Sequence, residues 1–179
     1  MSDEVFTALV DAHYAALFRF AVSLTRSEAD ASDLTQQTFY IWATKGQTLR
    51  ELNKAKTWLF TTLYREFIRI RRRGQRMSSI EDLPPGEQDV PDLETDQIAK
   101  LDQQIVTDAL GDIDPVFRAA LTLFYLKDLT YHEIAEILDV PIGTVMSRLN
   151  RGKAHLRVAL TRRLQGDKLV EFPKQQRAQ

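Results

Sequence analysis

The sequence predicts an all-α fold, and three observations predict it. Apolar residues recur at three- and four-residue spacing in both halves of the chain. No run alternates convincingly at the period of two that a half-buried strand requires. Breakers fall between the periodic segments: no Gly or Pro precedes Gly46, whereas Gly74, Pro84, Pro85, Gly86 and Pro91 crowd the middle. The 179 residues, 44% hydrophobic and 27% charged, have globular rather than disordered composition.

Each helix follows from its own signals. Phe6, Leu9, Val10, Tyr14, Leu17, Phe18, Ala21 and Val22 form one apolar stripe, the first helix. Ser27 is a suitable N-cap for the second, with Glu28 and Asp30 where the helix dipole favours acid. This helix turns Leu34, Phe39 and Trp42 inward, runs to about Ala43 and ends at Gly46. Trp58, Leu59, Leu63, Phe67 and Ile70 mark a third, closing in Arg71, Arg72 and Arg73. Ile98, Leu101, Ile105 and Ala109 mark a fourth, stopped at Gly111. Asp114 and Pro115 open a fifth, with Asp as cap and Pro in the first turn.

Charge divides the chain further. Residues 1–76 carry 12 Lys and Arg against 8 Asp and Glu; residues 77–114 carry 1 against 11; residues 115–179 carry 11 against 6. Two basic blocks thus flank an acidic one, and basic blocks suit nucleic acid. The expected organisation is a helical domain over 1–76, a flexible acidic linker over 77–97, a second domain over 98–166 and a tail over 167–179. The acidic block is a candidate cover for the basic surfaces of the free protein.

Several functions are disfavoured at once. The chain has no cysteine, so disulfides, thiolate zinc sites and cysteine nucleophiles are absent. Met1-Ser2-Asp3-Glu4 is acidic where a signal peptide carries Lys or Arg. The longest uninterrupted apolar stretch near the middle is short, Ala119 to Leu121 and then Leu123 to Leu126, so no membrane insertion is expected. A cytoplasmic protein follows. His132-Glu133-Ile134-Ala135-Glu136 lacks the second His of a zinc-protease helix, and no phosphate loop or nucleophile elbow occurs. Neither an enzyme nor a metal or cofactor site is expected.

The densest signal runs from Leu129 to Leu149. Thr130 caps a short helix, and Glu133 three residues on completes a capping box. Ile134 and Leu138 face inward, Ala135 is small where a second helix crosses, Asp139 sits at the turn and Val140 fills the corner. Pro141 starts a helix with Val145 and Leu149 inward, which makes a helix-turn-helix. Thr144, Ser147, Arg148, Asn150 and Arg151, then Lys153 and Arg157, face outward with groups that suit base edges and phosphates.

This motif closely resembles the promoter-binding domain of sigma-70-type initiation factors. The first half resembles the same family independently. Asp30 to Phe39, with Asp33, Gln36 and Gln37, is similar to its polymerase-binding helix. Lys56-Thr57-Trp58-Leu59-Phe60, running into Arg71-Arg72-Arg73, is similar to its promoter-melting helix. Two such domains, an acidic linker and little else suggest the small extracytoplasmic-function (ECF) subfamily. Together these motifs span nearly the whole chain, about residues 6–76 and 98–165.

The resemblance implies a transcription initiation factor that binds core RNA polymerase, selects promoters and helps melt them. Its implied partners are the beta-prime clamp helices and beta flap of polymerase, promoter DNA and an anti-sigma factor. Asp30, Asp33, Gln36, Gln37 and Phe39 would dock polymerase. Lys45, Gln47, Arg50, Lys56, Trp58, Tyr64, Arg65, Arg69 and Arg72 would hold the −10 element, where aromatic platforms and cations suit single-stranded DNA. Trp58 lies on the apolar stripe and fits a core role as well. Thr130, Thr144, Ser147, Arg148, Asn150, Arg151, Lys153 and Arg157 would read the −35 element.

The chain also departs from the family. Gln37 replaces a usual acid, Thr62-Leu63-Tyr64-Arg65 replaces a common Ile-Ala-Arg-Asn run, and Met146 occupies an often basic position. Asp139 stands where the turn usually has Gly, a left-handed position that Asp tolerates. Within DNA binding, the alternative is a stand-alone helix-turn-helix regulator; outside it, a protein-interaction module.

Overall fold

The computed structural model describes residues 3–46, 54–74, 103–125 and 129–168. These form seven helices and no strand: α1 (Asp3–Thr25), α2 (Glu28–Lys45), α3 (Ala55–Gly74), α4 (Gln103–Gly111), α5 (Pro115–Tyr125), α6 (Tyr131–Leu138) and α7 (Ile142–Lys168). The all-α expectation is met. The predicted linker, the loop with Gln47 and Arg50, Ile98, Leu101 and the chain beyond Lys168 lie outside the described residues. So do residues 77–102 of the acidic block, 77–114, expected to cover the basic surfaces.

Local chemistry sets the helix ends. Ser27 Oγ accepts the Asp30 N–H at 3.2 Å, and Asp114 Oδ1 accepts the Val116 N–H at 2.9 Å, as their cap positions require. Arg26 takes positive φ, 59°, at the corner between α1 and α2. Gly46 ends α2 for a reason other than backbone freedom. Its φ is −64°, right-handed, but a Cβ there would lie 2.6 Å from the Trp42 ring. Trp42 is fully buried and stands edge-on to Trp58, ring centres 5.0 Å apart. Gly46→Ala should therefore cost about 1 kcal/mol by overpacking, read as a lower midpoint in urea unfolding.

The inward stripes meet in one core. Leu17, Phe20 and Ala21 of α1 join Leu34 and Trp42 of α2 and Leu59 and Leu63 of α3, all buried. Ile134 and Leu138 of α6 and Val145, Leu149 and Leu156 of α7 are buried with Ala119, Leu121 and Leu123 of α5. Ile70 departs from the expected stripe and is 53% exposed near the end of α3.

The two halves touch directly: α1 packs on α5 and α4, and α3 packs on α6. By length and composition alone, Glu4–Thr25 could cross a membrane, with mean hydropathy 1.4 over its best window. Counting uninterrupted apolar runs misses this, because Asp11 and Arg19 interrupt an otherwise apolar helix. Its inward residues Leu17, Phe20, Ala21 and Leu24 belong to the core.

Candidate polymerase and nucleic-acid interfaces

Three surfaces carry the predicted site residues. On α2, Asp30, Asp33, Gln36 and Gln37 are exposed, and Asp30, Asp33 and Gln37 share a face by their spacing. Gln36 Nε2 donates to Ser32 Oγ at 3.3 Å along that surface. Phe39 is a correction, since it is only 6% exposed. Its ring packs against Phe6 and Tyr14, at 6.4 and 6.3 Å, so it supports the helix from beneath. Tyr40, 65% exposed, adds an aromatic ring to the same surface and was not among the expected residues. Its place four residues after Gln36 and seven after Asp33 was the available signal.

On α3 the predicted residues divide between two sides. Arg65, Arg69 and Arg72 are exposed and, at i, i+4 and i+7, share one face. Arg69 is paired with Glu66, its Nε donating to Oε2 at 3.0 Å. Trp58 is half-buried, with its ring against Trp42. Lys56 and Tyr64 lie within electrostatic reach of Glu133 and Arg148 of the second half, and Lys56 acts on His13 of α1 as well. Burial pushes the Tyr64 hydroxyl above its ordinary pKa, while Arg148 and Arg71 pull the other way. Lys45 is exposed at the end of α2, apart from this arrangement in sequence.

The helix-turn-helix forms as its sequence requires. Thr130 Oγ1 accepts the Glu133 N–H at 3.3 Å, and Glu133 Oε2 accepts the Thr130 N–H at 2.6 Å, closing the capping box. Asp139 takes the left-handed conformation, φ 54° and ψ 51°, and its N–H reaches back to the α6 carbonyls. That corner turns the chain into α7, whose Val145 and Leu149 point inward. Ser147 and Asn150 are consequently exposed, and Thr144, Arg148 and Arg151 half-exposed, along the opposite side. Lys153 lies over the Phe124 ring, Nζ 5.1 Å from its centre, and Arg157 is half-exposed one turn on. Gly152 faces inward, where a Cβ would meet Leu121 at 2.9 Å, so α5 and α7 approach closely.

Thr130 is exposed, but its hydroxyl is engaged in the cap. The Thr130 backbone N–H lowers the Glu133 carboxyl pKa; burial opposes this, and the Thr130 hydroxyl, Lys56 and Thr57 lower it further. A carboxyl lowered in the fold adds stability above its ordinary pKa and loses it as pH falls through the lowered value. Glu133→Gln should therefore flatten part of the acid loss of stability. Thr130→Ala should cost about 1 kcal/mol at neutral pH. Urea unfolding at neutral and acid pH reads both.

Known proteins match this arrangement at both ends. A model of sigma-70 region 2 matches residues 9–77, and one of sigma-70 region 4 matches residues 103–156. ECF RNA polymerase sigma factor SigE of Mycolicibacterium smegmatis is 36% identical over 155 residues, 83% of this chain and 59% of that protein. SigL of Mycobacterium tuberculosis is 34% identical over 161 residues, covering 86% of this chain and 87% of its own. Among solved structures, sigma factor RpoE of Bartonella quintana, crystallised with the anti-sigma factor NepR, superposes with a TM-score of 0.67. It is 28% identical and covers 88% of this chain and 98% of its own. Regions 2 and 4 of one family thus follow each other along this chain: it belongs to the ECF subfamily of sigma-70 factors, which bind core RNA polymerase and direct it to promoters.

Proposed function

We propose that the three surfaces divide the work of initiation. Asp30, Asp33, Gln36 and Gln37 of α2, with Tyr40, dock the basic clamp helices of the beta-prime subunit. The cationic side of α3, with Lys45, Gln47 and Arg50 before it, holds the opened strand of the −10 element. Outward α7 residues Thr144, Ser147, Arg148, Asn150 and Arg151 enter the major groove at −35, and Lys153 and Arg157 hold the backbone. Residues 1–76 and 98–166 act as two domains, the second also meeting the beta flap. Reaction chemistry stays with polymerase; this chain supplies promoter choice in the cytoplasm, and an anti-sigma factor is a fitting regulator.

The observation that carries this reading is the left-handed Asp139 corner. It joins a capped α6 to an α7 whose buried side is apolar and whose free side is polar and cationic. Run-off transcription on a promoter library tests it. Core polymerase with the chain should give transcripts from a defined subset of promoters, and core alone should give none of them. Equal transcripts with and without the chain would refute the reading.

A further inference from the structure

The outward side of α7 is polar and cationic except at its start. Ile142 and Met146, one turn apart, are 37% and 48% exposed. By helical spacing, Met146 shares one flank of α7 with Asn150 and Arg157. Arg148 lies on the other flank, within electrostatic reach of Tyr64 on α3. Ile142 and Met146 thus sit at the start of the second helix of the helix-turn-helix, the end whose side chains meet base edges in the major groove.

Gly143, between them, is an independent sign of close approach. It is exposed, its φ is not positive, and a Cβ there would meet nothing within 4 Å. Neither backbone strain nor packing inside the molecule therefore requires a glycine. Glycine also serves where a backbone must come close to a ligand. Gly143 and Ser147, one turn apart and both exposed, make a low strip along the middle of the outward side. A helix with so low a crest settles deep in a groove, which brings Met146 beside it toward the base edges.

We infer that Met146, with Ile142 beside it, reads the C5-methyl group of a thymine in the −35 element. The inference rests on the proposed role of α7 as the −35 reader. Thymine alone presents a methyl in the major groove, whereas guanine presents acceptors and cytosine a donor. An apolar side chain would desolvate those polar groups without pairing them, which disfavours them at this position. The unbranched, flexible side chain of Met can follow the methyl as the helix settles. Removing one methyl from such a contact costs ~0.8 kcal/mol, about fourfold in affinity.

Uracil, which is thymine without that methyl, tests it in holoenzyme. The full chain with core polymerase first selects −35 elements from a randomised pool, and these should share a thymine at one position. Each thymine of a selected −35 element is then replaced singly by uracil, and holoenzyme affinity for each duplex is measured. One replacement should weaken binding about fourfold. Met146→Ala, a change at an exposed position, should weaken binding to the thymine duplex to the same extent and no longer distinguish thymine from uracil. Its slope of log affinity against log salt should match that of the parent, because no phosphate contact is lost. A flat uracil scan overturns the inference, as does a thymine preference that survives Met146→Ala. So does a loss equal on thymine and uracil duplexes, which would make Met146 a contact with polymerase or with the DNA backbone. Arg148→Ala and Arg151→Ala in the same assay isolate the underlying reading. A preference changed by either, beside a flat uracil scan, refutes the methyl contact alone; a preference and affinity unchanged by both refute α7 as the reader.

Discussion

Asp33→Arg should weaken binding to core polymerase at least 30-fold, about 2 kcal/mol, while leaving the fold intact. Asp33 is exposed on the face it shares with Asp30 and Gln37, so the change leaves the core untouched. Exposed substitutions of this kind move stability within about 0.5 kcal/mol. Breaking a charge pair at an interface costs ~2–5 kcal/mol, and reversal adds repulsion from the basic partner. Gln37 contributes no charge to the face, which concentrates the effect on the two aspartates. Phe39→Ala is the contrasting variant. It empties a site beneath α2 and should cost ~3–5 kcal/mol of stability, with docking failing only as folding fails. Equilibrium titration of labelled core enzyme, beside urea unfolding of each variant, separates the two. If Asp33→Arg binds as tightly as the parent chain, the α2 face is not the dock.

Those two residues of α2 show what the sequence could and could not reveal. Period and capping were legible because their causes lie within one turn. Ser27, Asp114, Thr130 with Glu133, and Asp139 all act on backbone groups at most four residues away. Phe39 was misplaced because a contiguous motif was carried over whole, although its own spacing from Leu34 and Trp42 already put it inward. Gly46 was expected to end α2, but the closeness of the Trp42 ring behind it is a packing fact. Arg118 of α5, whose guanidinium donates to the Ser23 carbonyl, was invisible. An arginine among apolar residues signals an anomaly, yet that acceptor is 95 residues away. Charge blocks pointed to basic surfaces, but not to the packing of α6 on α3. Local rules place caps and stripes; docking between halves depends on side-chain complementarity that no short window contains.

Arg151→Ala should change which −35 sequences are preferred, whereas Arg157→Ala should weaken all of them nearly equally. The difference follows from position along α7. Val145 and Leu149 fix its inward side, which leaves Arg148 and Arg151, with exposed Ser147 and Asn150, nearest the groove. Arg157 lies nearly two turns further on, beyond the reach expected of base-reading residues at a helix start. Deleting a side chain that bonds well to a base edge should cost ~1–3 kcal/mol and relax one position of the site. Deleting one that neutralises a phosphate should reduce the slope of log affinity against log salt by ~0.9. Lys153, held over Phe124, should behave like Arg157. Arg148 lies within electrostatic reach of Tyr64 on α3, so its contribution should be measured in holoenzyme on promoter DNA. Selection on randomised −35 elements at two salt concentrations supplies both the preferred sequence and the slope. If Arg148→Ala and Arg151→Ala leave preference and affinity unchanged, α7 is not the reader. A shallower slope without a change of preference would assign both arginines to the backbone, with Met146, Ser147 and Asn150 the remaining residues able to read bases.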